Sequence, residues 1–153
     1  MNKGRLLTTV SALAFGAALV LSGCGGSSGG KRLTKEGFAQ KANSICADYL
    51  LKVDAFGNTK NEAEAVKLIV DTRALYAQSI ANMKKLEPPT DEQAAVDRAM
   101  KLAEEQLGII DQEIAALRKR DTAKVTKALE RGKVITKESN LIFSQLGATT
   151  CTR

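Results

Sequence analysis

Histidine and tryptophan are missing from all 153 residues, proline occurs twice, tyrosine twice and phenylalanine four times. The lack of histidine removes the commonest general base and the commonest transition-metal ligand. It excludes Ser-His-Asp and Cys-His catalytic arrangements. It also excludes the Glu-x-x-His pairs of ferritin-like metal bundles and the C-x-x-C-H haem attachment. No C-x-x-C pair occurs either. The only Gly-rich stretch, Gly25 to Gly30, lacks the strand and helix that make a phosphate-binding loop. No repeat of solenoid type is visible. The chain is therefore expected to be no enzyme, with no catalytic residue, no metal and no cofactor.

What is present begins with two positive charges in residues 1–5. An uncharged run of 16 residues follows, Leu6 to Leu21, apolar or small except for Thr8, Thr9 and Ser11. This is the pattern of a signal peptide. The run is shorter than the roughly 20 residues that span a bilayer as a helix. It ends in Leu21-Ser22-Gly23-Cys24, which resembles the lipobox of bacterial lipoproteins. The resemblance implies diacylglyceryl modification of the Cys24 thiol and cleavage before it. Two or three acyl chains hold a protein stably where one binds marginally. The expected location is the extracytoplasmic face of the cell membrane, anchored by lipid and not spanning.

Cleavage there leaves 130 residues, one domain in length, with 21 basic against 17 acidic side chains. The net charge of +4 suits an anionic surface and is no nucleic-acid signature. Three segments are expected: 1–23, the signal peptide; 24–33, the lipidated cysteine and a Gly/Ser tether; 34–153, the folded domain and tail. A flexible coil of the tether's length reaches about 17 Å.

Ala, Leu, Lys, Glu and Gln dominate the domain and favour helix. Phe38, Ala42, Ile45, Tyr49, Val53 and Phe56 form one stripe of a helix from Thr34, its cap, to Phe56. Asn61 with Glu64 opens a second helix, striped by Val66, Ile69, Tyr76, Ile80 and Met83, with Arg73 inside the stripe. It is expected to end before Pro88-Pro89. Thr90 with Gln93 reads as the capping box of a third. There Val96, Met100, Ala103, Leu107, Ile110, Ile114 and Leu117 step alternately by four and three, a heptad seam. Asp121 or Thr122 starts a fourth, with Val125, Ala128, Gly132, Ile135, Ser139, Ile142 and Leu146 on its seam and Gly147 as its stop. The fold class is all-α: an antiparallel up-down-up-down four-helix bundle. Glu104, Glu105 and Asp111 to Glu113 read as solvated face. Lys124, Lys127, Arg131 and Lys133 read the same way, or as a patch for acidic lipid or wall polymer.

Once Cys24 is acylated, Cys46 and Cys151 remain, an even pair in an oxidising compartment. Cys46 would lie about 16 Å into the first helix. The tail after Leu146 reaches up to about 17 Å, enough to meet it. A structural disulfide follows. Phe38, Ala42, Ile45, Cys46, Pro88-Pro89 and Cys151 also resemble the "F-x-x-x-A-x-x-I-C" opening, midway Pro-Pro turn and late cysteine of small helical lipoproteins from high-GC Gram-positive bacteria. That resemblance supports the bundle and the disulfide, and implies no activity.

The expected role is a non-enzymatic interaction or structural module of the cell envelope. Its partners would be the membrane, through the anchor, and an envelope protein or wall polymer, with no nucleic acid. The rival is a small-ligand binder, a sensor or carrier, with a pocket around Arg73, Tyr76, Gly132 and Ser139. Alkylation of the unreduced, lipidated chain is expected to label neither Cys46 nor Cys151; labelling of both would remove the disulfide.

Overall fold

The computed structural model describes residues 32–152. The expected signal peptide, the expected lipid site Cys24 and most of the expected tether lie outside the described residues. Four helices follow one another: α1 (Lys35–Asp54), α2 (Glu62–Met83), α3 (Gln93–Arg118) and α4 (Thr122–Gln145). A single 3-10 turn, η1 (Thr149–Thr152), ends the described chain. The fold is all-α and the helix contacts are those of a four-helix bundle. None of the described helices is long and apolar enough to cross a membrane.

Three of the four helix starts follow side-chain chemistry. Thr34 accepts from the Gly37 amide at 3.1 Å, Asn61 from that of Glu64 at 2.9 Å, and Asp121 from that of Lys124 at 3.1 Å. Each satisfies an amide that the helix itself leaves without a partner. Glu64 also reaches back to the Lys60 amide at 2.7 Å. The expected Thr90–Gln93 capping box does not form. The turn closed by the Glu92 amide on the Pro89 carbonyl carries the chain past Thr90, so α3 starts at Gln93 with Glu92 before it and no side-chain cap. The Gln93 side chain instead accepts from Arg32 at 2.8 Å and donates to Asp97 at 2.9 Å.

One helix end differs from expectation, and another falls before Pro88-Pro89 as expected. α1 stops at Asp54, so Phe56 falls beyond it and is 40% exposed. Gly57, at φ +68°, turns the chain away there. α2 stops at Met83, short of Pro88, in a turn closed by the Lys85 and Leu86 amides.

The neighbours run antiparallel. The Leu33 amide meets the Glu87 carbonyl while Tyr49 meets Tyr76. Arg73 pairs with Asp111 and Lys84 with Glu104 across α2 and α3. Arg98 pairs with Glu138 and Arg131 with Glu105 across α3 and α4. In every case the number rises on one helix as it falls on the other. Glu104, Glu105 and Asp111 are exposed, as expected of a solvated face, and also pair across helices at the surface. Exposed pairs of this kind contribute little each, but they mark register.

α3 is the most buried helix. Besides the seam residues Val96, Met100, Ala103 and Ile114, it buries Ala99, Leu102, Ile109 and Ala116. It packs on both α2 and α4, so one stripe is not enough. α1 and α4 make no direct backbone approach; η1 lies between them and contacts both. Gly147, at φ +77°, and Ala148 close a Schellman turn on Ser144 and Phe143, which swings the tail back over α1. The Thr150 amide donates to the Asn43 side chain at 2.8 Å, and the Asn140 amide group to the Thr152 carbonyl at 3.0 Å. Cys46 and Cys151 are disulfide-bonded, with Cα atoms 5.2 Å apart.

The α3–α4 turn repeats the Schellman pattern, but with Arg120 at φ +54° where glycine is usual. A non-glycine residue in that conformation costs about 1 kcal/mol. The Arg120–Glu62 pair, 3.6 Å and exposed, offsets little of it. Arg120→Gly is expected to raise stability by about 1 kcal/mol, and the melting temperature by about 4 °C. A calorimetric scan checks this, and an unchanged or lower value would contradict it.

Candidate functional site

The buried apolar residues fall into two clusters. One joins Phe38, Ala42, Met83, Val96, Met100, Phe143 and Leu146; the other joins Leu102, Ile109, Ala128 and Ile135. A cavity of about 240 Å³, partly open to solvent, is lined from both. It lies where the core is interrupted. Every helix and the tail contribute to its wall.

One part of the lining is soft and apolar: Met83, Met100, Phe143 and the Cys46–Cys151 sulfurs. Another part carries hydroxyls and amides: Tyr49, Tyr76, Ser79, Gln106, Ser139 and Asn140. The helices place these groups by simple periodicity. Tyr76, Ser79, Ile80 and Met83 recur at three- and four-residue steps on α2, and Ile135, Ser139 and Phe143 at four-residue steps on α4.

The tyrosine rings lie 5.8 Å apart, tilted by 53°. Burial, and secondarily Tyr49, pushes the Tyr76 phenol up to about 12, and burial raises Tyr49 as well. Both stay protonated across the physiological range and act as neutral hydrogen-bond donors. The Ser79 hydroxyl is already spent on the Tyr76 carbonyl at 2.8 Å. Gln106 differs, because its Oε1 is buried with no hydrogen-bond partner among the described residues.

The expected pocket residues separate. Tyr76 and Ser139 share the cavity. Arg73 does not reach it: its Nε and Nη2 donate to the two Asp111 carboxylate oxygens at 2.8 and 2.9 Å on the α2–α3 surface. The guanidinium holds the Asp111 carboxyl below its usual range, through the hydrogen bonds first. A bidentate pair satisfies both groups and leaves no donor fork to turn inward. Gly132 also lies elsewhere, in an outer groove between α3 and α4. A Cβ added there would stand 3.1 Å from Gln106 Nε2, so its smallness lets that side chain lie across α4. Gln106 lines both the groove and the cavity and forms a partition between them.

Gln106 escaped the sequence reading. The available signal was a polar residue flanking the α3 seam at the level of a glycine on the facing helix. Among the described residues no group of three or more His, Cys, Asp or Glu could hold a metal ion. No family model matches the chain, and no curated protein or solved structure is detectably similar to it.

A buried, unpaired carbonyl costs about 1–3 kcal/mol. Gln106→Leu, of similar length, is expected to stabilise the chain by about 1 kcal/mol in denaturant melts. A loss of stability would show that Oε1 is hydrogen-bonded in solution.

Proposed function

We propose that this chain is a lipid-anchored domain on the extracytoplasmic face of the membrane that holds a small molecule between its helices and does no chemistry on it. The observation that carries the reading is the cavity wall: hydroxyls, amides, sulfur and hydrocarbon from five segments, with no Asp, Glu, Lys or Arg. Such a wall orients a ligand and offers no acid–base pair near neutral pH. The anchor rests on the lipobox at Cys24, the apolar segment before it and the Gly/Ser stretch after it. A disulfide fits an oxidising compartment.

An interaction module of the envelope is the second reading. It is favoured by Val134 and Leu141, one heptad apart on α4 and 69% and 58% exposed. Apolar side chains in that position cover a partner when one is present.

Chain extracted from its own membrane separates the two. Under non-denaturing mass spectrometry it is expected to carry an added small mass that a cavity-filling Ser139→Leu variant lacks. Bare protein in both samples, with a recurrent protein cross-linked to α4 in cells, would move the assignment to the second reading. Incorporated palmitate is expected to disappear in Cys24→Ala; labelling that survives would remove the anchor.

A further inference from the structure

We infer that the cavity takes a small uncharged molecule: one ring-sized apolar body carrying a single neutral polar group that both donates and accepts hydrogen bonds, such as an alcohol or a primary amide. This deepens the proposed binding function and rests on it.

Size sets the first limit. A dry engineered cavity of about 150 Å³ holds benzene. At about 240 Å³ this one has room inside it for a ring and a substituent.

Charge sets the second. No Asp, Glu, Lys or Arg lines the cavity, and three pairs of the neighbouring helices lie at the surface: Arg73 with Asp111, Lys84 with Glu104, Arg131 with Glu105. A ligand ion entering the cavity would lose water and meet no opposite charge, which is heavily unfavourable.

Hydrogen-bond capacity sets the third. The lining presents the hydroxyls of Tyr76 and Ser139, each able to donate and to accept. A hydroxyl or a primary amide meets both capacities, whereas an ether or an ester meets only the donors. The apolar body has its own match in Met83, Met100, Phe143 and the disulfide, polarizable groups that pack well on rings.

The chain supplies its own reporter. It has no tryptophan and only two tyrosines, and both line the cavity. Tyrosine emission from the intact protein therefore reads this one place. The test titrates the full-length chain with three probes of one ring: cyclohexanecarboxamide, cyclohexanecarboxylate and cyclohexylammonium. The carboxamide is expected to shift the emission saturably, with both ions at least tenfold weaker. Ser139→Leu and Ser79→Leu, which fill the space from opposite helices, are expected to abolish the saturable response while keeping the helical signal. Tyr76→Phe, which removes a lining hydroxyl and keeps Tyr49 as reporter, is expected to weaken the carboxamide at least threefold.

Ion binding as tight as that of the carboxamide, and lost in the filled variants, would overturn the ligand class and leave a binding cavity standing. No saturable response to any probe would overturn both the class and the binding reading. A response that survives in both filled variants would place the binding elsewhere and overturn the inference.

Discussion

The bond between Cys46 and Cys151 stands where a fourth helix–helix seam would otherwise be. Three seams of the bundle are made by packing, with ion pairs outside two of them. On the remaining side the α1 and α4 backbones make no close approach, although Phe38 and Ala42 share a core cluster with Phe143 and Leu146, and the tail crosses between them, held by Asn43, Asn140 and the disulfide. Closing a loop of 105 residues removes chain entropy from the unfolded ensemble equivalent to about 4–5 kcal/mol. That is comparable to the whole stability of many domains. The tail needs this help, since its own apolar burial amounts to little beyond Ala148 and the half-buried Cys151.

The same arrangement explains the cavity. A bundle whose four helices all meet squeezes its core into one cluster. Here the apolar residues form two, and the space between them is walled by short side chains such as Ser79, Ala103 and Ser139. Keeping such a space open sacrifices dispersion contacts that larger residues would make. An unpaired Gln106 oxygen adds to the sacrifice. Losses of this kind concentrate at places that serve something other than folding.

Much of this was written in the chain. The apolar steps of the four helices up to Val53 on α1, the caps at Thr34, Asn61 and Asp121 and the Gly147 stop are local signals, and they appear where the sequence places them, while Phe56 falls past the end of α1. The disulfide was legible because the tail can reach Cys46, and because setting Cys24 aside as the expected lipid site leaves one pairing. Arg73 was misjudged because a helical stripe tells which way a residue leans and not what it meets; Asp111 lay on another helix. The extra burial along α3 was hidden for a related reason. Ala99, Leu102, Ile109 and Ala116 sit off a single seam, and only the presence of two neighbours calls them inward. The cavity itself was the least visible, since it is a shortfall of volume summed over five segments.

The position of the cross-link also settles how a pull is shared. Tension entering through the residues before Lys35, as an anchor there would apply it, meets only the stretch from Lys35 to Ile45 before reaching Cys46. Unwinding that stretch lengthens the chain by about 20 Å. Past Cys46 the load divides between two arms of a closed loop, one running forward along α1 and the other backward from the tail through α4. Neither arm can be unspooled alone. The cavity lies inside that loop, so its walls stay joined by the cross-link, while Phe38 and Ala42, which pack with Met83, Met100 and Phe143, are the contacts such a pull strips first.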